Sequence, residues 1–542
     1  MKTHRPGTST ILTVVLFVLT AQGQQPLNIT ASASSDSSQE SARNDQIIQK
    51  IWVEGTEKSR LYPLAQELLD SIGPRLTGSS EQKRANDWAL DIYRKWGIQV
   101  RAEQYGTWMN WRRGIAHIDL VAPRTRPLEG MLSTWSPGTK GTVEAPVILF
   151  PKIQNAAEFE ESLSQVQGKF VMFDFPWPSC RPDANWKEFA TPESFERMKK
   201  ERDDAFKAWY AGRVRASGLR GTPLVKRLAQ AGALGIVTLL VPPPGPQGWG
   251  VSKASTTIAE TIPELGLNCE DYGLVFRLAE NNQNPILRVR ADAEFVGEVP
   301  VSNIIAELPG KEKPNEYVML SAHFDSWDPA SGATDNGSGT LMMMEAMRIL
   351  KAVYPNPRRT ILAAHWSGEE QGLNGSGAFA VDHPEIVSGL QILLNQDSGT
   401  GRVNKISMQG FSGAGRFFTR WLTQVPKDIS SQIILVDPGN PGGGSDEMSF
   451  VCRGAPAFSL ASQNWDYEAY TWHTNRDTFD KLVVDDLKYN AMLAAMLVYL
   501  ASEDPERVPR EPRVTSIDRK TGKPAAWPTC GTPARNWAQR RQ

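Results

Sequence analysis

Residues 320–336 read LSAHFDSWDPASGATDN, placing His323, Asp325 and Asp335 around the end of an apolar run, 317–322. The pattern recurs along the chain. Glu369 and Glu370 follow the run 359–366, Asp397 follows 390–395, and His473 comes after 457–461. Helical patterns alternate with these runs. In 337–350 the Met and Leu residues share one side, and in 485–501 Leu487, Met492, Met496 and Leu500 face inward. Continuous apolar strands alternating with such helices imply an α/β fold, a largely parallel sheet with helices on both faces. Ligands of such a sheet bind beyond the carboxyl ends of the strands. His323, the Glu369-Glu370 pair and Asp397 fall there.

The residue types at these strand ends suit metal-assisted hydrolysis. Zinc takes imidazole nitrogen and carboxylate oxygen, and catalytic sites keep a position open for water. His323, Asp335, one glutamate of the pair, Asp397 and His473 can hold two zinc ions that share a carboxylate. Asp335 is the natural bridge, because backbone N–H groups at the head of the following helix can hold it. Asp325, two residues after His323, lies on the same side of an extended chain and is expected to accept the second imidazole N–H. One glutamate of the pair coordinates metal while the other takes the proton of the attacking water. Each residue alone has a plainer explanation, since most Asp and Glu are solvated and Asp335-Asn336-Gly337 also reads as a turn with a helix cap. The joint pattern is more specific: the chain has six His, and two belong to the constellation. His365 is expected to pack at its strand end, and His117 and His383 lack carboxylate motifs nearby.

A net charge of −1 offers no bulk field for nucleic acid or anionic lipid. Residues 1–23 read as an export signal: Lys2 and Arg5 are basic, 11–19 are apolar, and Ala21-Gln22-Gly23 offers a cleavage site. The apolar run is too short for a stable membrane span, so the expected product is exported and soluble, periplasmic or extracellular. The four cysteines, Cys180, Cys269, Cys452 and Cys530, lack zinc-site spacing. Export permits disulfides, yet three full pairings exist and the sequence does not choose among them. Cys269 and Cys452 read equally well as buried free thiols.

The expected organisation has a flexible leader over 24–44, a first part of the main domain over 45–122, an inserted α+β module over 123–297, and a catalytic part over 298–503. A basic, Pro-rich tail, 504–542, is expected to be poorly ordered. Within the insert, short strands are expected at 145–150, 169–173 and 235–240. The charged segment 186–215 reads as an exposed helix with Thr191 as its N-cap and Pro192 at its first position.

The motifs HFD, GATDNGSG, SGEEQG, NQDSG and WHTNRDT, in this order, resemble the co-catalytic zinc exopeptidases, which include bacterial leucyl aminopeptidases and glutamate carboxypeptidases. The resemblance covers about 47–503 and includes DSIGPRLTGS at 70–79. It implies a zinc-exopeptidase fold with a mixed, mostly parallel sheet, and a protease-associated domain at 123–297. It assigns His323, Asp335 and Asp397 to one zinc and Asp335, Glu370 and His473 to the other, with Glu369 as the base. Ser445-Asp446 followed by Phe450 resembles a supporting loop in which Asp446 binds no metal. Tyr467 and Tyr470 are both candidates for holding the oxyanion. The implied activity is hydrolysis of small peptides or dipeptides with free termini, with a homodimer left open. Two other readings of the fold are a non-catalytic receptor or scaffold ectodomain and a one-zinc glutaminyl cyclase. Counting zinc per chain separates the three. The sequence departs from the most similar relatives in its long charged segment, in Asn475 where they carry a second His, and in its basic tail.

Overall fold

Strands that lie in the middle of a sheet covered on both faces need apolar residues at every position, and the central strands here have them. The computed structural model describes residues 35–241, 250–254, 256–518 and 520–540, with 35–44 described by backbone alone. Its strands are β1 (Gln99–Ala122), β2 (Arg126–Leu128), β3 (Gly130–Leu132), β4 (Val143–Leu149), β5 (Phe170–Met172), β6 (Gly235–Leu239), β7 (Glu264–Leu267) and β8 (Ile286–Leu308), followed by β9 (Lys313–His323), β10 (Arg359–Trp366), β11 (Leu390–Gln396), β12 (Val403–Ser407), β13 (Ile434–Val436) and β14 (Ala457–Ser462). Every residue of β10 and β11 is buried, as is β9 from Val318 onward. The strand order β13-β12-β14-β11-β9-β10-β8 is parallel from β14 through β10 and antiparallel at β8 and between β12 and β14. The sheet is therefore mixed and mostly parallel, as expected. The Ser338–Val353 and Val484–Glu503 helices pack on it with nearly unbroken apolar surfaces.

Register sets the position of the site. Trp366 pairs with His323, and Asn395 with Ser321, so β9, β10 and β11 end at one edge. Residues just past those ends must meet there.

Two strands are much longer than the sequence suggests. Two stretches that alternate like strands in the sequence, 98–105 and 115–121, merge into the single strand β1, which runs antiparallel to β8 from Gln99↔Glu307 to Ala122↔Ile286 with four register shifts. Gly106, Gly114 and the bulges break the alternation that marks a strand in sequence. At its far end the ribbon pairs with β4, and β4-β5-β6-β7-β3 extend from it. The expected short strands of the insert appear as β4, β5 and β6, and they enclose their own apolar clusters. The charged segment forms two helices, Asp183–Phe189 and Pro192–Gly212. Thr191 caps the second, its Oγ1 accepting the Ser194 N–H at 3.2 Å. Arg202, buried in that helix, grips Asp183 at 2.6 and 3.0 Å.

Residues Asn44–Gln542 form one unit, and Met1–Arg43 another. The export signal and most of the leader lie outside the described residues. Helix Ser35–Glu57 extends ten residues into the segment expected to be a flexible leader. Three further expectations are corrected. Cys269 and Cys452 are not free thiols: Cys180 bonds Cys269 and Cys452 bonds Cys530. The tail is not loose. Val508 and Ala534 are buried, Trp527 Nε1 donates to the Val451 carbonyl at 2.9 Å, and Trp537 packs on Trp108 and Trp135. Its aromatic residues bury apolar surface that its Pro-rich composition conceals. His383 does have carboxylate partners, Glu103 at 2.5 Å and Glu385 at 3.1 Å.

Because the Cys452–Cys530 bond closes a loop spanning 78 positions, removing it should free the tail's entropy in the unfolded chain and weaken its docking. Cys530→Ala is expected to cost about 2–4 kcal/mol, read as a lower midpoint of thermal unfolding without reductant; an unchanged midpoint would contradict a tail that contributes to the fold.

Candidate metal and active site

His323 is the last residue of β9 and is fully buried. Its Nδ1 lies 3.0 Å from the backbone carbonyl of Asp325, so an Nδ1–H donates there and the Nε2 lone pair is left to face outward. The sequence reading gave this role to the Asp325 carboxylate, but that group stands 3.8 Å from Nδ1. It turns the other way. Its oxygens accept the Thr77 hydroxyl at 3.0 Å and the Glu369 and Glu370 N–H groups at 3.2 and 3.3 Å. Asp325 thus sets the imidazole through its backbone and the glutamate turn through its side chain.

Asp335 is held differently from the expectation as well. The Ser338–Val353 helix starts after it, and the Asn336 side chain, not Asp335, accepts the Gly339 N–H at 3.0 Å. Asp335 instead lies in a non-helical turn whose N–H groups point at Asp477: Thr334 N–H donates to it at 2.7 Å and Asp335 N–H at 3.0 Å. This leaves both oxygens of Asp335 free to face the two imidazoles. Oδ1 is 3.3 Å from His323 Nε2 and Oδ2 is 3.2 Å from His473 Nε2.

Asp397 follows β11 and brings Oδ1 to 3.4 Å from His323 Nε2. Glu370 brings Oε2 to 2.9 Å from His473 Nε2. His473 has φ +59°, a left-handed conformation that a non-glycine residue holds only when its surroundings fix it. Two triads result, His323–Asp335–Asp397 and Asp335–Glu370–His473, each with ligand atoms within 4.8 Å of one another. His323 Nε2, Asp335 Oδ2, Glu370 Oε1 and Asp397 Oδ1 are buried without a hydrogen-bond partner. Buried polar atoms are rarely left so unless a ligand belongs there.

The electrostatics point the same way. Burial pushes Glu370 up to about 7, with the Asp335 charge adding to it and His473 opposing it. Burial alone would lower His473, but the Glu370 and Asp335 carboxylates outweigh it and hold His473 up at about 10. Burial also raises Glu369 well above the usual carboxylate range; the His323 charge opposes this, and Asp397 and Glu370 add to it. Asp335, Glu369, Glu370 and Asp397 bring together more carboxylates than two imidazoles can balance even when protonated, and divalent cations are suited to join such a set.

These residues open onto a cleft of about 670 Å³ lined also by Leu373, Ser445, Tyr467, Glu468 and Trp472. Tyr467 therefore faces the cleft. Tyr470 is not among the lining residues; its carbonyl accepts the Thr474 hydroxyl at 2.7 Å. Asp446 is fully buried beside the site, and burial pushes it well above its ordinary value. His365 is buried with Nε2 2.7 Å from the Tyr93 hydroxyl, a packing role as expected. Three residues escaped the sequence reading: Thr77, Asp477 and Arg75. Arg75 is fully buried and donates to the carbonyls of Phe324, Ser331 and Gly332 at 2.7–2.9 Å, fixing the loop between His323 and Asp335. Arg75 and Thr77 lie inside DSIGPRLTGS, which drew notice only as a resemblance.

Comparison with known proteins fits this geometry. Residues 303–498 match the model of Peptidase family M28 and carry its peptidase domain. Over 462 residues the chain is 24% identical to carboxypeptidase Q of Rattus norvegicus, covering 85% of this chain and 89% of the relative. The Xenopus laevis carboxypeptidase Q is 25% identical with the same coverage. Among solved structures, the Peptidase M28 precursor of Shewanella amazonensis SB2B superposes with a TM-score of 0.63 at 22% identity, covering 88% of this chain and 100% of that one. BSAP, a zinc aminopeptidase from Bacillus subtilis, gives 0.52 at 19% identity, covering 83% and 96%. The matched segment 303–498 holds every residue of both triads, so the likeness to the M28 peptidases falls on the site itself.

Asp325→Ala would remove the acceptor that orients Thr77 and both glutamate N–H groups. Peptide turnover is expected to fall about 10–100-fold with the fold intact by circular dichroism. Thr77→Val, which removes one donor, should cost less. Wild-type turnover in Asp325→Ala would refute its orienting role.

Proposed function

We propose that this chain is an exported exopeptidase that binds two zinc ions and hydrolyses small peptides or dipeptides with free termini. The observation that carries the reading is a pair of ligand triads sharing Asp335, with Glu369 beside them and outside both. His323, Asp335 and Asp397 would hold one ion, and Asp335, Glu370 and His473 the other. When bound, the ions supply Lewis-acid chemistry: they polarise the scissile carbonyl and make an attacking water more acidic. The rest falls to the protein's own groups. The cleft admits the peptide and positions its carbonyl between the two imidazole-bearing ends. Glu369, raised by burial, accepts the proton of the water that attacks and returns it to the leaving amine. Tyr467, which lines the cleft, is the tyrosine we assign as donor to the developing oxyanion. Two disulfides support an oxidising compartment and hence export. The insert over 123–297, read as a protease-associated domain, meets the His473 loop through 252–254 and so favours access by short peptides.

The adjacent glutamates separate the roles. Glu369→Gln keeps shape but cannot accept a proton. Its kcat is expected to fall by about 10²–10⁴-fold, with metal content at the wild-type level and substrate bound about as well. Glu370→Gln should lose metal together with activity. Metal analysis and kinetics on both variants decide the matter: near-normal kcat in Glu369→Gln defeats the mechanism, and loss of zinc from Glu369→Gln alone reverses the assignment.

A further inference from the structure

The segment 252–254 of the insert lies directly against the His473 loop. Lys253 forms an antiparallel bridge with Thr474, and the Ala254 N–H donates to the His473 carbonyl at 2.6 Å. Ser252 and Asn475 are tied twice: the Asn475 N–H donates to the Ser252 carbonyl at 3.0 Å, and the Ser252 N–H donates to Asn475 Oδ1 at 3.0 Å. These bonds fix the Lys253 backbone beside His473. Its ammonium lies 4.1 Å from the centroid of the Trp472 ring, which is itself 4.2 Å from that of His473.

Trp472 and Glu468 line the cleft, and the charged side chains there are otherwise Asp335, Glu369, Glu370 and Asp397. A cation borne by the insert thus stands at the rim of an acidic cleft, one ring away from the imidazole. The next cation on the loop, Arg476, is already engaged by Glu129 at 2.9 Å and by the Gly250 carbonyl at 2.7 Å. The Lys253 ammonium packs on the Trp472 ring and feels the Asp335 and Glu468 charges of the cleft, and among the described residues it is in ion-pair contact with no carboxylate.

A dipeptide whose scissile carbonyl sits between His323 and His473 carries its α-carboxylate roughly one residue further on, where consecutive Cα atoms are about 3.8 Å apart. A longer chain or a C-terminal amide has no charge at that point. We propose that Lys253 is a specificity-determining residue that binds the free α-carboxylate of the substrate. The assignment rests on the hydrolytic reading above and adds to it the end of the substrate that is recognised. Asn475 contributes as a positioning residue, holding Ser252 and hence Lys253 in register.

The test uses the metal-loaded full chain, a dipeptide, the same dipeptide as its C-terminal amide, and a dipeptide amide whose second residue is Glu. Wild type, Lys253→Met and Lys253→Arg are compared by kcat/KM and by calorimetric binding. Wild type should favour the free carboxylate over the amide by more than about tenfold, mainly through KM. Lys253→Met should bring that ratio close to one, and Lys253→Arg should restore part of it. An unchanged ratio in Lys253→Met, including one left by equal losses on both substrates, overturns the proposal. Recovery of the full wild-type preference by the Glu amide also overturns it, because Lys253 would then read a side chain. If no peptide is cleaved but carboxylate binding still depends on Lys253, the proposal stands and the hydrolytic reading fails.

Discussion

Four carboxylates converge on two imidazoles at one edge of the sheet, and the fold has to hold them there against their mutual repulsion. Removing such charges from water is unfavourable unless opposite charge joins them. Asp335 is the residue on which the arrangement turns, because its two oxygens address His323 and His473 separately. Its carboxylate can do so only because Asp477, and not a helix terminus, takes the N–H groups of its turn.

The surrounding charges act on backbone more than on side chains. Arg75 gathers three carbonyls of the loop that joins the His323 strand to Asp335. Asp325 gathers the two N–H groups of the glutamate turn. Asp477 gathers those of 334 and 335. Each is a buried charge satisfied by several main-chain dipoles, which is how such a group is made tolerable in a dry interior. Together they fix the connection after β9 and the turn after β10, and Asp477 ties the former to the loop that carries His473. The insert adds a fourth constraint at the His473 loop, and in doing so brings Lys253 to the rim.

The strand ends could be read from the sequence because β9, β10 and β11 are buried on both faces and appear as unbroken apolar runs. Once those runs are aligned in a parallel sheet, His323, Glu369-Glu370 and Asp397 must share an edge. Thr191 was legible as a cap for a similar reason, since the chemistry of a helix start is local. What stayed hidden depends on contacts distant in sequence. Whether Asp325 acts through its carbonyl or its carboxylate is decided by where the glutamate turn lies, 44 positions away. Asp477 is one of many acidic residues until the turn at 334–335 is placed against it. The continuous β1–β8 ribbon is masked by glycines and bulges, and the tail's packing by its prolines, although Trp527 and Trp537 carry it. Four cysteines allow three pairings, and only the folded positions select Cys180–Cys269 and Cys452–Cys530.

The most direct measurement is a calorimetric zinc titration of metal-stripped protein, paired with elemental analysis after dialysis, on the wild type, Asp397→Asn and Asp335→Asn. A shared bridging carboxylate predicts two tightly held equivalents in the wild type, one in Asp397→Asn, and weakening of both in Asp335→Asn. A single equivalent in the wild type, or two retained at full affinity in Asp335→Asn, would contradict a binuclear centre built on Asp335.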